Sequence, residues 1–558
     1  MLIGIDIGGT STDGVLLQDG KILSSAKCLT DENDLQASIF TILDELTQGV
    51  EKSNITRVAL STTLVTNILA TGKGDKTALV VVPGPGLNLK NMQLFPHTFI
   101  IDGATDFRGR IIEPLNEEQV IKASKLISEA GITKAAVVGK FSPRNSEHER
   151  RAKEILLREY PELEIILGSE VSGQLNFLRR MATAYYTAMT QEKWAKFAVN
   201  IEKALRDRGI NCPVSILKAD GGTMPLSVAL EHPCETVFSG PAASVMGAFA
   251  LTMDEETSVV VDIGGTTTDL ALILQGKPLY ASKGAIIEGH YTSIRSFNML
   301  SIALGGDSAV RLAGLQVTIG PDRAGLAACF GGPIATPSDA INFLENGKLG
   351  ELDLSRGALE KIAAPLGISA KELAELIVNQ FVDSVEENIR KLFKAWEEEP
   401  AYKVYEVVNK RSVQLDKVVG IGGAAKAFVP LISKGLGCRS LVHSYAQVAN
   451  ALGAAVARPT LSLILHADTQ EKYYNLNFGG ISGKIPSNFN LDSAKEMAKK
   501  HLEEIMVKRD LPQYANQSEF FLEEQFNTIS GYSTTGKLFD IGIQIAPGVI
   551  KNYGIAKL

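Results

Sequence analysis

The spacing of apolar and polar positions changes along the chain, and each change predicts an element. Residues 2–7 read as a buried strand and 14–18 as a second. Asp19-Gly20 is a turn signal leading into a third strand, KILSSAKCL, at 21–29. Ile39, Ile42, Leu43 and Leu46 recur at helical spacing and predict a helix over 36–52. RVALST (57–62) predicts a strand, TLVTNILATGKG (63–74) a helix ended by glycine, and TALVVVPG (77–84) a buried strand. A helix over 117–130, a strand in AAVVGKF and a charged helix over 146–159 follow.

The pattern then restarts. Residues 176–209 predict a helix, PVSILKADGG (213–222) a strand entering a glycine turn, and GPAASVMGAFAL (240–251) a helix. The strand–glycine–strand unit of 2–18 recurs at 258–274. Asp6-Ile7-Gly8-Gly9-Thr10-Ser11-Thr12-Asp13 matches Asp262-Ile263-Gly264-Gly265-Thr266-Thr267-Thr268-Asp269 position by position. Copies this far apart are not a solenoid period and predict a duplicated domain. A long amphipathic helix begins at 369. Strand KVVGIGGAA and two more helices close the second copy near Arg458. The last hundred residues are poorer in glycine and predict a helix in SAKEMAKKHLEEIMVKRDL and a strand in FDIGIQIAPG. The expected domains are therefore 1–170, 171–458 and a small α+β appendage at 459–558.

Composition narrows the classes. At 558 residues the chain exceeds one ordinary core. No apolar run approaches a membrane span. MLIGIDIGGT has no basic segment or cleavage site, which argues against a leader. A net charge of −7 and no Lys/Arg stripe argue against nucleic acid. Five scattered cysteines, with no C-x-x-C pair, suit a reducing cytoplasm better than a disulfide framework or zinc site.

The candidate chemistry lies in the repeated glycine loops. A strand that ends in Asp-x-Gly-Gly-Thr and returns makes a tight hairpin, whose backbone N–H groups and hydroxyls face phosphate oxygens. Gly8, Gly9, Thr10, Ser11 and Thr12 form one candidate cradle; Gly264, Gly265, Thr266 and Thr267 form the other. Asp6 and Asp262 are the candidate catalytic carboxylates and Mg²⁺ ligands, the ion being held through water. Asp13 and Asp269 either act likewise or cap the turns. A lone copy would be as well explained by an Asx turn; two copies between apolar strands favour phosphate. Neither cluster opens a helix as a dinucleotide fingerprint requires, and no Walker A motif is present. Gly422, Gly423 and Ala424 end a buried strand with little side chain, so a flat adenine or ribose could lie there; a close-packed junction is the alternative.

Two phosphate loops followed by an adenosine loop resemble the actin/hexokinase/Hsp70 ATPase superfamily. Within it the chain resembles the hydantoinase A/5-oxoprolinase family. The resemblance rests on the segments Ser61–Asn67, Glu147–Arg151, Asp220-Gly221-Gly222, Glu235–Ala243 and Gly320–Gly325, spread to about residue 458. It implies two RNase H-like α/β lobes with ATP and Mg²⁺ between them, and Gly305 and Gly306 at the nucleotide. It implies ATP-driven activation of a small cyclic amide for ring opening, within a homo- or hetero-oligomer and often with a separate B-type subunit. A carboxylase subunit and a sugar-kinase-like or non-catalytic nucleotide-binding protein are the alternatives. The sequence departs from the family where Asn298, Leu300 and Asp307 replace the usual Asp, His and Gly.

Other candidates have ordinary readings beside them. His290 is either a general base or, more commonly, a loop histidine with a local hydrogen bond. His148 suits a solvated helix face, and Cys234 and Cys329 suit buried packing. Thr62, Thr63 and Asn67 either contact substrate or cap a helix. Lys140 either reaches the cleft or lies along the surface.

Overall fold

Leu2–Ile7 and Ser11–Gln18 pair antiparallel in the computed structural model, which describes residues 1–31, 34–89, 92, 94–399 and 412–550. Period-2 alternation divides the first strand between two cores. Ile3, Ile5 and Ile7 face one core together with the helices Leu35–Leu46 and Phe177–Asp207. Leu2 faces another, so Asp6 shares its side of the sheet. Lys21–Leu29 adds to one edge and Arg57–Thr62 pairs in parallel on the other.

That sheet continues where the pattern of the sequence does not show it. Val214–Leu217 pairs in parallel with Arg57–Thr62, and Thr223–Pro225 closes the edge. The first lobe thus runs past the expected end at residue 170, because strand pairing depends on tertiary neighbours that local periodicity does not report. Between the paired strands lies an inserted sheet. Glu164–Leu167, Lys134–Gly139, Thr77–Val82 and Thr98–Ile100 lie side by side, all parallel. Phe177–Asp207, 31 residues long, fills the seam between the two sheets; Trp194 is fully buried along it.

The second lobe repeats the first. Ser258–Ile263 and Thr268–Leu274 form its hairpin, with Lys417–Ile421 parallel beside Ser258–Ile263 and Arg439–Val442 beyond. Val259, Val261 and Ile263 face the lobe's own core with the helix Ala370–Glu397; Val260 faces the other way. Asp262 therefore also looks out of its lobe.

Two helices, Ser239–Thr252 and Ala449–Val456, fill the space between the lobes. They approach closely because glycines stand at the contacts. A Cβ on Gly247 would lie 2.1 Å from the Ala449 carbonyl oxygen, and one on Gly453 2.2 Å from that of Ala243. Gly4 admits the second helix against the first strand, since its Cβ would lie 2.0 Å from the Ala451 oxygen. The appendage is α+β, as expected: strands including Leu461–Asp468 and Ser533–Ile545 carry the helix Leu491–Lys508 over their own apolar core.

Candidate functional site

The two repeated hairpins have the same local geometry. Gly8 N donates to Ser11 O at 3.1 Å, and Gly264 N to Thr267 O at 3.0 Å. Asp6 pairs across its hairpin with Asp13, and Asp262 with Asp269. The tips are open: Gly9, Gly264 and Thr266 are exposed, and Gly8, Thr10, Ser11, Gly265 and Thr267 half-buried. Backbone amides at such tips suit a phosphate.

Asn450, on the helix Ala449–Val456, stands at the second hairpin, and no local pattern singles it out. Its amide donates to Asp262 Oδ2 at 3.2 Å, while Ser244 Oγ donates to the same oxygen at 2.5 Å. Asp6 Oδ1 and the adjacent Ser61 Oγ are buried without a hydrogen-bond partner. Burial pushes the Asp6 carboxyl up to about 7, helped by the charges of Asp13 and Asp262 and opposed by the Ser61 and Asn450 side chains. Asp269 is pushed up to about 6 by burial and by Asp262. Asp13 and Asp262 are also raised, chiefly by burial, although Lys27 Nζ stands 2.7 Å from Asp13. Four crowded carboxyl groups and the orphaned Asp6 Oδ1 fit a hydrated divalent cation, which would supply the missing positive charge. Among the described residues no three His, Cys, Asp or Glu side chains form a metal cage.

Three of the expected cradle residues do other work. Thr12 is fully buried and its hydroxyl pairs with Thr30 Oγ1 at 3.0 Å, so it faces away from the tip. Gly305 and Gly306 are buried behind the second hairpin, where a Cβ on Gly305 would lie 2.5 Å from Gly265 O. Their N–H groups are already bonded, Gly305 to Ser308 Oγ and Gly306 to Gly264 O. They prop the loop from below instead of donating to a ligand.

Gly422 has φ +88°, and a Cβ there would lie 2.5 Å from Ile263 O and 2.8 Å from Asp262 Oδ1. This places the third loop directly against the second hairpin. Gly423 beside it faces open space, and Ala424 precedes the helix Ala425–Leu436.

The three departures have distinct surroundings. Leu300 pairs with Leu270 and packs on the second lobe's core. Asn298 bonds Leu279 O through its backbone. Asp307 receives Arg323 Nη2 at 2.8 Å, and Arg323 Nη1 reaches Thr10 Oγ1 on the opposite hairpin at 3.1 Å. Arg323 lies within one of the segments that carry the family resemblance, but its contact with Asp307 appears only in three dimensions.

The other candidates take structural roles. His290 stacks on Phe95 and lies 3.1 Å from the Tyr186 hydroxyl. His148 is buried, not solvated, and its neighbour Glu149 accepts from Gly139 N and from Ser169 N and Oγ inside the inserted sheet. Cys234 and Cys329 are buried, with thiols pushed up to about 12 mainly by burial. Thr62 Oγ1 accepts from Leu64 N at the helix start, and Lys140 Nζ donates to Pro85 O.

Residues 180–462 match the hydantoinase/oxoprolinase family, and residues 2–160 match its N-terminal region. This chain is a member of that family. The hydantoinase/oxoprolinase match spans the second hairpin, the third loop and the helices between the lobes, and the N-terminal-region match spans the first hairpin. The chain is 26% identical to the acetophenone carboxylase gamma subunit of Aromatoleum aromaticum, over 67% of this chain and 58% of that one. It is 24% identical to the caprolactamase subunit alpha of Pseudomonas jessenii, over 78% of this chain and 67% of that one. The chain spans about six tenths of the length of the first curated relatives it matches. The nucleotide-free structure of acetone carboxylase, 19% identical, superposes with a TM-score of 0.72 over 99% of this chain and 88% of its own. Hydantoinase/oxoprolinase membership and this likeness establish the fold as two actin-like ATPase lobes with an appended domain.

Proposed function

We propose that this chain uses Mg-ATP to activate a small cyclic amide for ring opening, with a second, B-type chain completing the reaction. The observation that carries the reading is that two copies of one hairpin face each other between the lobes, with Asn450 bonded to Asp262 of one and Arg323 reaching from beside it to Thr10 of the other. The acetone carboxylase and caprolactamase structures that this fold resembles are described as ATP-dependent, which supports ATP-linked chemistry on a carbonyl compound or an amide. The five unpaired cysteines suit a cytoplasmic setting. No described helix is long and apolar enough to cross a membrane.

An unstrained amide is a poor electrophile, and phosphorylating its oxygen corrects that. The amide oxygen attacks the γ-phosphorus as the bond to the ADP oxygen breaks. Water then adds to the activated carbon, and the ring C–N bond breaks with a proton passing to nitrogen. A second water hydrolyses the resulting acyl phosphate to carboxylate and phosphate. The chain's part is positioning and charge: the open tips at Gly8–Ser11 and Gly264–Thr267 take phosphate oxygens. Asp6 and Asp262 are the residues that would hold a hydrated Mg²⁺, which would neutralise charge on the transferring group when bound. Leu300, apolar where the family has a histidine, leaves this chain without an evident base for the water steps, which motivates the partner. Phosphorylating a carbonyl compound for carboxylation is the second reading, favoured by the acetophenone carboxylase relative.

Two measurements test the proposal. Asp262→Asn keeps shape and removes charge, so ATP turnover is expected to fall by on the order of a hundredfold with the fold intact. A variant with normal turnover shows the carboxylate to be structural. Incubating the chain alone with ATP and hydantoins, lactams or 5-oxoproline is expected to give ADP without stoichiometric ring-opened product, with phosphate arising only as water cleaves the O–P bond of the phosphorylated amide and returns the starting amide. Efficient opening by the chain alone refutes the need for a partner, and phosphate release only with ketones plus bicarbonate favours the second reading.

A further inference from the structure

Arg323 ends the strand Gln316–Arg323, which pairs with Ser308–Ala313 in the second lobe. Its guanidinium is held at three points. Nε donates to Gly325 O at 3.0 Å and Nη2 to Asp307 Oδ2 at 2.8 Å, both within its own lobe. Nη1 crosses to the first lobe and donates to Thr10 Oγ1 at 3.1 Å. Asp307 is itself fixed, because its backbone N donates to Gly265 O at 2.8 Å in the second phosphate hairpin. The guanidinium thus stands at the tips of both hairpins, its orientation set by one lobe and its free end presented to the other.

We propose that Arg323 is a ligand for the nucleotide's outer phosphates and that Asp307 is the residue that positions it. This inference rests on the reading of the cleft as a nucleotide site. Thr10 Oγ1 is a neutral acceptor, and an N–H of a guanidinium makes a much stronger bond to a phosphate oxygen. A phosphate entering between the tips takes the place of Thr10 Oγ1 on Nη1 while Asp307 and Gly325 keep the fork in place. Arg323 also meets a local need for charge. Asp6, Asp13, Asp262 and Asp269 crowd the hairpin strands, and Lys27 is already paired with Asp13. A polyphosphate brought to such acidic strands requires a cation on the protein as well as one on the nucleotide. Asp307 therefore acts through Arg323, which gives the acidic side chain at a glycine-rich turn a positive role.

The test is calorimetric binding of Mg-ATP, Mg-ADP and AMP to wild type, Arg323→Ala, Arg323→Lys and Asp307→Asn, with melting curves for each. Losing a charge-assisted hydrogen bond is expected to weaken Mg-ATP binding by about tenfold or more in Arg323→Ala, while AMP changes by less than about twofold. Arg323→Lys keeps the charge without the three-point fork and recovers part of the loss. Asp307→Asn weakens Mg-ATP by less than Arg323→Ala does. Equal Mg-ATP binding by wild type and Arg323→Ala overturns the proposal while leaving the nucleotide site in place. Equal losses of ATP and AMP make the contact an interlobe latch and overturn it too. Wild type that binds no nucleotide removes the underlying reading of the cleft itself.

Discussion

Burial and the charges of Asp13 and Asp262 push the Asp6 carboxyl up to about 7 from an ordinary value near 3.8. A carboxyl raised in this way stabilises the fold fully below its unfolded pKa, and that contribution is lost as the pH rises through its folded value. Asp269, pushed up to about 6, acts in the same direction over a lower window. The ligand-free chain is therefore expected to melt at a lower temperature near pH 8 than near pH 5. Asp6→Asn removes one titrating group and should shrink that drop, which calorimetry at the two pH values measures; an undiminished drop counts against the assignment. The two aspartates were legible because an eight-residue motif recurs with apolar strands on either side. Asn450 and Arg323 were not. A single asparagine in an alanine-rich helix and an arginine after a proline turn have no local pattern, and their partners are 188 and 313 residues away.

The helices between the lobes depend on the absence of side chains. A methyl group on Gly247 would lie 2.1 Å from a backbone oxygen that cannot swing aside. Gly247→Ala is expected to cost about 1–3 kcal/mol in urea denaturation, as overpacking does. Gly240 stands in the same helix facing open space, so Gly240→Ala should stay within about 1 kcal/mol of wild type. Equal effects of the two would show that the contact yields. Long elements were read well from periodicity, as Phe177–Asp207, Ala370–Glu397 and both hairpins show. Pairing was not. Val214–Leu217 reads as a strand of the second copy, yet hydrogen-bonds to Arg57–Thr62 of the first. Glu519–Ser530 escaped notice because its charged, outward-facing residues lack the alternation of a half-buried strand.

At the scale of the molecule, nucleotide would join the two lobes through the hairpin tips. A ligand that binds only the folded chain at 100 times its Kd should add about 2.7 kcal/mol of stability. Thermal melts with and without millimolar Mg-ATP measure this, and curves that do not move remove the basis for a nucleotide cleft. The inserted sheet bears on a different matter, the order in which the protein is born. Its strands, from Thr77–Val82 to Glu164–Leu167, come from one contiguous stretch, and its covering helix ends at Asp207. The sheet around it waits longer: Arg57–Thr62 lacks its second neighbour until Val214–Leu217 emerges, and Gly4 lacks its helix until Ala451 does. On the ribosome the insertion can close while the first hairpin stays uncovered. A nascent chain held by a linker long enough to bring Asp207 out of the ribosome is expected to shield the amides of Thr77–Val82 and Lys134–Gly139 from hydrogen exchange while those of Leu2–Ile7 exchange faster, so that the part of the lobe made first is not the part finished first.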